Sequence, residues 1–123
     1  MKILICICTY KRNKSLMECL QSFNQTLIPH NIKISFLILD NSVNYDSFKI
    51  IKNLKKKFKF KIHSAHEKKR GVVNARNRCL KISKKINCDY IAFFDDDCVI
   101  DKYWFRNVIK VIKEYKVNII TGP

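Results

Sequence analysis

YIAFFDDD, at residues 90–97, joins an apolar run of strand length to three consecutive aspartates. The chain has 25 Lys and Arg against 10 Asp and Glu, so three of its few acids stand side by side. Carboxylates held close together repel each other, and their pKa values rise unless a cation neutralises them. The stretch therefore predicts a buried strand ending at a divalent metal that holds a phosphorylated substrate.

Four further apolar runs have the length of strands. They lie at residues 2–8, 33–39, 59–64 and 117–120. Their hydrophobicity is nearly continuous, which is typical of strands covered on both faces in a parallel sheet. Helical periods separate them. The order β-α-β-α-β-α-β-α-β predicts an α/β fold, with a doubly wound, mostly parallel, Rossmann-like sheet and flanking helices.

Three of the helices are predicted from apolar residues spaced three or four apart. The stripes are Leu16, Leu20, Phe23 and Leu27; Val72, Ala75, Cys79, Ile82 and Ile86; and Trp104, Val108, Ile112 and Tyr115. Ser15 and Glu18 have the spacing of a capping box for the first helix, and Asp101 is expected to cap the last.

The length of 123 residues fits one domain, which we place at residues 1–123. No apolar run approaches the roughly 20 residues that span a bilayer, and the first run lacks the layout of a signal peptide. We therefore expect a cytoplasmic protein. Its six cysteines lack the paired spacing of metal ligands, so reduced thiols acting as small hydrophobic side chains are expected.

The net charge of +15 leaves three kinds of anionic partner open: nucleic acid, a membrane surface and phosphorylated substrates. Residues 52–61 include six lysines, which form either a solvated helix face or a contact with the inner face of the membrane. No stacking surface is evident among these lysines, so nucleic acid is not the expected partner. A nucleotidyltransferase usually has a glycine-rich phosphate loop after the first strand, and residues 8–14 contain no glycine.

Polar residues follow each of the first four predicted strands. They occupy residues 9–12, residues 40–42, the segment running to Gly71, and the aspartate triplet. Ligands of open α/β sheets bind beyond the carboxyl ends of the strands. We therefore interpret these four groups as one site.

The aspartates suit a hard cation. In extended backbone Asp95 and Asp97 point the same way, and Mg²⁺ or Mn²⁺ is typically held by one or two carboxylates plus substrate phosphates. Asp96 would then face a ribose hydroxyl or a backbone amide. The alternative is that the three form a turn and a helix cap, although Asp101 is better placed as a cap.

The other candidates are individually weaker. Asp40 could accept hydrogen bonds from a base or sugar, or it could be ordinary turn chemistry. Thr9 and Tyr10 offer a hydroxyl and a stacking ring, or a plain loop. Arg76, near the start of the third predicted helix, is either a diphosphate ligand or a surface arginine. We interpret His63 and His66 as surface residues.

Together these segments resemble the family 2 glycosyltransferases. The resemblance rests on ICICTYKR at residues 5–12, ILDNS within residues 37–42, RGVVNARN at residues 70–77 and FFDDDC at residues 93–98, with Trp104 and residues 121–123 also similar. The match covers essentially the whole chain. The set of motifs is specific, although each motif alone is not.

The resemblance implies a GT-A fold and metal-dependent, inverting transfer of a sugar from a nucleotide-diphosphate donor, commonly UDP-linked. The acceptor would be a glycan or lipid-linked saccharide, as in cell-envelope polysaccharide synthesis. It implies that the nucleotide-sugar-binding residues are Thr9, Tyr10, Arg12, Asp40, Arg76, Asp95 and Asp96. Asp95 and Asp97 would form the DxD pair that holds Mg²⁺ or Mn²⁺.

The chain departs from the family in length. Family members continue past the Gly-Pro segment, and their acceptor-binding half and catalytic base lie there. We expect a domain truncated after the DxD region, with no catalytic base within residues 1–123. Two alternatives to a self-sufficient enzyme follow: an inactive nucleotide-sugar-binding module, or one that needs a downstream polypeptide. Exposed apolar surface would also favour self-association.

Overall fold

A computed structural model describes residues 1–122 of the chain. These residues form four strands and four helices in strict alternation. The elements are β1 Lys2–Thr9, α1 Asn13–Asn24, β2 Lys33–Asp40, α2 Phe48–Leu54, β3 Lys61–His66, α3 Val72–Ser83, β4 Tyr90–Asp95 and α4 Trp104–Tyr115. The strands form one sheet in the order β3-β2-β1-β4. Every pairing is parallel, so the predicted α/β fold with a parallel sheet is confirmed.

Each face of the sheet has its own apolar core. On one face, alternate residues of β1 and β2 pack with Leu16 and Phe23 of α1 and with Phe105 and Ile109 of α4. On the other face, the intervening residues of β1 and β2 pack with Ala75 and Cys79 of α3. Burial on both faces explains the continuous hydrophobicity of β1 and β2 and is the expected result of a doubly wound arrangement.

The strand register determines where the polar segments meet. Thr9 of β1 pairs with Asp40 of β2, and Cys8 pairs with Asp95 of β4. On the far side of β2, Asp40 pairs with His66 of β3. The four carboxyl ends therefore form one continuous edge, as the sequence predicts.

The prediction of a fifth strand at residues 117–120 is wrong. After α4, Lys116 adopts a left-handed backbone with φ 50°, and residues 117–122 have no regular structure. Ile119 is 84% exposed. A segment as short as residues 117–120 forms a strand only where a neighbouring strand pairs with it, and within residues 1–122 the partner of β4 is β1 alone. Pro123, the last residue of the matched Gly-Pro segment, lies outside the described residues.

The helices differ from their predictions in register. α1 begins at Asn13 with Arg12 as its N-cap and ends at Asn24, so Ser15 and Glu18 form no capping box and Leu27 lies beyond the helix. The buried face of α4 consists of Phe105, Ile109 and Ile112. Of the predicted stripe, only Ile112 belongs to this face. α4 contains apolar residues on more than one face, so spacing alone did not determine which face the sheet would bury.

Asp101 lies two residues before the N-cap of α4, which is Tyr103. Its Oδ1 accepts a hydrogen bond from the Tyr103 N–H at 2.7 Å. The residue therefore closes the turn that leads into the helix, and the predicted N-cap position is wrong by two residues.

The six cysteines are all free thiols in the described part of the chain. Cys8 Sγ and Cys79 Sγ lie 3.8 Å apart, and this contact together with burial raises the pKa of Cys8 far above its usual range. Burial raises the pKa of Cys19 to about 12. Neutral, largely buried thiols behave as small hydrophobic groups, as predicted.

Candidate functional site

A cleft of about 330 Å³ opens at the carboxyl edge of the sheet. Its lining is formed by Cys8, Thr9, Tyr10, Arg12, Asn41, Val72, Ala75 and Asp96. A cleft of this size lies at the lower end of the range for small-molecule sites. Four of the residues predicted from sequence line it: Thr9, Tyr10, Arg12 and Asp96.

A larger cleft of about 580 Å³ lies at the opposite end of β4, between the end of α3 and Asn118. Parallel sheets bind ligands at the carboxyl ends of their strands, and this cleft is at an amino end. We therefore assign the candidate site to the smaller cleft, where the polar side chains converge.

Asp96 is the buried acid of the triplet. Its Oδ2 accepts a hydrogen bond from Thr9 Oγ1 at 2.8 Å, and its Oδ1 lies 3.3 Å from Arg12 Nη1. The side chain is only 7% exposed. Because one oxygen is held by β1 and the other by the N-cap residue of α1, Asp96 fixes the two walls of the cleft to each other.

Asp95 and Asp97 lie at the surface and pair with different arginines. Asp95 Oδ1 is 3.2 Å from Arg76 Nη2, and Asp97 Oδ2 is 3.1 Å from Arg12 Nη1. Asp95 is the last residue of β4, while Asp96 and Asp97 already form a turn closed by the Cys98 N–H to Asp95 carbonyl bond at 3.2 Å. The extended backbone assumed from the sequence therefore ends at Asp95.

Asp40 lies beneath the cleft and is 1% exposed. Its two carboxylate oxygens accept hydrogen bonds from the backbone N–H groups of Ser42 and Ser47, each at 2.7 Å. Burial alone would raise the pKa of Asp40, but the hydrogen bonds from Ser42 and Ser47 outweigh it and hold the pKa below 3.8. Asp40 thus stabilises the loop that follows β2. Its contact with the nucleotide base stays a prediction.

Asn41 organises the loop before α3, and it is a site residue that the sequence did not single out. Its Nδ2 donates to the carbonyls of Glu67 and Lys69 at 2.7 and 2.9 Å, and its Oδ1 accepts from the Gly71 N–H at 2.8 Å. The only signal was its place in the DNS segment, which equally suits a turn. Only the register of β2 beside β3 brings this amide to the loop.

The third helix begins at the cleft. Gly71, its N-cap, has φ 124° and ψ 140°, a conformation open essentially to glycine alone. Val72 and Ala75 of the first turn line the cleft, so the amino end of α3 borders it. Such an end favours anions because its first N–H groups have no partners within the helix.

Arginine side chains surround the same opening. The guanidinium of Arg70 lies 4.9 Å from the ring centre of Tyr10, and that of Arg76 lies 5.8 Å from the ring centre of Phe93. With Arg12 they supply three planar cations beside a helix N-terminus. His66, predicted as a surface residue, contacts the carbonyl of Ser42 at 2.6 Å and stacks on Tyr45, while His63 is half-buried in β3.

Metal binding depends on the chemistry of these donors. Among residues 1–122, no group of three or more His, Cys, Asp and Glu side chains is arranged to hold a metal ion. Asp95 and Asp97 are exposed oxygen donors, the type that Mg²⁺ and Mn²⁺ prefer, and such ions commonly take one or two carboxylates plus substrate phosphates. The donor set therefore fits an ion that a bound diphosphate completes.

Comparison with known proteins gives one family. The family model "Glycosyl transferase family 2" matches residues 4–123. The succinoglycan biosynthesis protein ExoM of Rhizobium meliloti (strain 1021) is 26% identical over 117 residues, which are 95% of this chain and 37% of ExoM.

Solved structures agree on the fold. TarS 1-349 of S. aureus in complex with UDP superposes with a TM-score of 0.77 at 20% identity, covering 100% of this chain and 38% of that one. The mannosyltransferase PcManGT from Pyrobaculum calidifontis, in complex with GDP-Man and Mn²⁺, gives a TM-score of 0.72 at 15% identity over 89% of this chain and 32% of its own. The chain thus spans well under half the length of these relatives.

None of the helices within residues 1–122 has the length and apolar content that crossing a bilayer requires.

Proposed function

The chain belongs to glycosyl transferase family 2, and we propose on this basis that it binds a nucleotide-diphosphate sugar, with a UDP-sugar as the first candidate, for transfer to a saccharide or lipid-linked acceptor. One observation carries the proposal: Thr9, Tyr10, Arg12 and Asp96 line a single cleft at the end of the sheet where α3 begins. TarS binds UDP and UDP-GlcNAc, and PcManGT binds GDP-Man, which supports this class of ligand.

The residues suggest a division of roles along the donor. The ring of Tyr10 and the side chain of Val72 would contact the base and ribose, because they are the largest apolar side chains of the cleft. The first turn of α3 with Arg12, Arg70 and Arg76 would bind the diphosphate, since guanidinium groups match phosphate oxygens in pairs. Asp40 would support this surface from below or contact the base.

Asp95 and Asp97 would hold Mg²⁺ or Mn²⁺ together with the diphosphate, and Asp96, anchored by the Thr9 hydroxyl, would fix the turn that carries them. A bound divalent ion offsets the negative charge that develops on the leaving diphosphate as the anomeric carbon becomes oxocarbenium-like. We propose inversion at that carbon, as the family resemblance implies.

The general base would come from outside residues 1–122. Of the acids that follow the triplet in these residues, Asp101 Oδ1 accepts the Tyr103 N–H, and Glu114 lies exposed in the last turn of α4. General-base help is worth about 10²–10⁴-fold in rate. We therefore propose that residues 1–123 are the donor-binding portion of the catalytic domain and transfer sugar slowly or not at all alone.

Calorimetry with a nucleotide series tests the proposal. With Mn²⁺ present, we expect UDP and UDP-sugars to bind more tightly than UMP, because UMP lacks the phosphate that would reach α3 and the arginines. Equal affinity for UMP and UDP would contradict the diphosphate site. Binding to RNA with a steep salt dependence, and none to UDP, would instead favour a basic nucleic-acid-binding protein.

The site of action also belongs to the proposal. We propose a cytoplasmic protein that attaches at the inner face of the membrane through its lysines, because such a surface carries anionic lipid. Vesicles with and without phosphatidylserine distinguish an electrostatically attached protein from one that does not bind membranes. We expect cosedimentation with the anionic vesicles only. Equal cosedimentation with neutral vesicles would contradict an electrostatic attachment.

A further inference from the structure

Each of the three aspartates of the triplet is paired with an arginine. Arg12 Nη1 lies 3.3 Å from Asp96 Oδ1 and 3.1 Å from Asp97 Oδ2, while Arg76 Nη2 lies 3.2 Å from Asp95 Oδ1. Two guanidinium groups thus offset two of the three negative charges of a cluster that the sequence assigned to a metal ion. The arginines that neutralise it are also the ones expected to meet the diphosphate.

These ion pairs differ in how firmly they are held. The side chains of Arg76 and Asp95 are 48% and 69% exposed, and those of Arg12 and Asp97 are 57% and 59% exposed. Exposed pairs contribute little and separate readily. Asp96 is the exception, because it is buried and also accepts the Thr9 hydroxyl. The outer two carboxylates can therefore change partners, while the Thr9 hydroxyl keeps Asp96 in place even when Arg12 moves.

We propose that Arg12 and Arg76 are exchangeable counter-ions that couple nucleotide binding to cation binding. When the donor binds, Arg76 would leave Asp95 and Arg12 would leave Asp97 for the diphosphate, and the two freed carboxylates would accept the divalent cation. This inference rests on the proposed function. The charges balance, because the diphosphate ester brings two negative charges and the cation two positive ones.

The exchange predicts how the two ligands affect each other. Without nucleotide, Arg76 competes with the cation for Asp95, so the protein binds Mn²⁺ weakly. With nucleotide present this competition is removed, and Mn²⁺ binds more tightly. Linkage requires Mn²⁺ to raise the affinity for nucleotide by the same factor. A variant without Arg76 should lose part of that factor.

The experiment compares Arg76→Gln with Arg78→Gln. Both residues are exposed on α3 and both substitutions remove one positive charge, but the ion pair to Asp95 belongs to Arg76. Free Mn²⁺ is measured by electron paramagnetic resonance, without nucleotide and with saturating UDP. In Arg76→Gln we expect the Kd for Mn²⁺ alone to fall about two- to fivefold, as removal of an exposed ion pair implies. We expect the tightening by UDP to shrink by a similar factor.

Arg78→Gln should leave both values within error of the wild type, and Arg76→Lys, which keeps the charge, should retain most of the competition. Thermal melting checks that each variant is folded. Equal shifts in Arg76→Gln and Arg78→Gln would mean a general charge effect and would overturn the exchange. If Arg76→Gln binds UDP normally and UDP tightens its Mn²⁺ binding as much as in the wild type, the exchange is overturned but the proposed function is not. No UDP binding by the wild type overturns the proposed function and the exchange with it.

Discussion

Asp40 illustrates what a single residue contributes beneath the site. Its carboxylate joins the end of β2 to the loop before α2 through the N–H groups of Ser42 and Ser47. A sequence pattern identifies an aspartate after a strand, but it cannot distinguish a ligand contact from a loop contact, since both use the same oxygens. The structure shows that both carboxylate oxygens of Asp40 accept backbone N–H groups of the loop.

The stability of Asp40→Asn tests that environment. The amide of asparagine can accept one of the two N–H groups but leaves the other without an acceptor, so we expect the free energy of unfolding at pH 7 to fall by about 1–3 kcal/mol. Urea denaturation measures the change. Asp46→Asn, exposed in the same loop, is the matched control and should change stability little.

The same pair of proteins predicts a pH dependence. Because the pKa of Asp40 is lowered in the folded state, its stabilisation is fully present above pH 3.8 and is lost as the pH falls through the folded pKa. The difference in the free energy of unfolding between wild type and Asp40→Asn should therefore become smaller below pH 3.8. A difference that stays constant down to pH 2 would contradict the charge-assisted hydrogen bonds.

The aspartate triplet was recognised from sequence, but its partners were not. Thr9 and Arg12 are more than eighty positions away from Asp96 in the chain. They meet because β1 and β4 are neighbours in register, which the local pattern does not specify. Composition predicted that a cation would be needed beside the triplet, and the structure places the guanidinium groups of Arg12 and Arg76 there.

At the level of elements, the strands were the most predictable part. β1, β2 and β4 begin at the predicted residues, and each extends one residue further than predicted. The runs of β1 and β2 are buried on both faces, and β4, although at the edge, has an uninterrupted apolar run at residues 90–94. β3, at the edge, is displaced by two residues, and residues 117–120 form no strand. Both of these segments mix polar with apolar residues, so hydrophobicity alone specifies them poorly.

The junction between β3 and α3 depends on a glycine. At φ 124° a residue with a Cβ is strained, so Gly71→Ala should lower the free energy of unfolding by about 1–3 kcal/mol. Gly122→Ala, which meets nothing within 4 Å, is the control and should stay within about 0.5 kcal/mol of the wild type. Thermal denaturation followed by circular dichroism measures both. Equal effects in the two variants would contradict a special conformation at Gly71.

At the level of the whole molecule, apolar surface and net charge oppose each other. Ile91 and Phe93 of β4 are 38% and 37% exposed, and the outer edge of this strand is unpaired within residues 1–122. Unpaired edges with apolar side chains favour association, while a net charge of +15 keeps molecules apart.

Salt should therefore promote self-association, because it screens the repulsion while leaving the apolar contacts intact. Sedimentation velocity should detect monomers at low salt and larger species at about 0.5 M NaCl, where the screening length is only a few ångströms. Ile91→Lys should suppress the larger species, whereas Val43→Lys, in the exposed loop after β2, should not. A monomer at every salt concentration would contradict association through β4.

The most direct measurement is calorimetric titration of UDP in the presence of Mn²⁺ with Asp95→Asn/Asp97→Asn. The control, Asp46→Asn/Glu114→Gln, removes two negative charges from exposed positions away from the triplet. We predict that the wild type and the control bind UDP and that Mn²⁺ strengthens the binding, whereas the triplet variant gains nothing from Mn²⁺. Equal strengthening by Mn²⁺ in the triplet variant would contradict the account, because the carboxylates of residues 95–97 would then have no part in holding the cation and the donor.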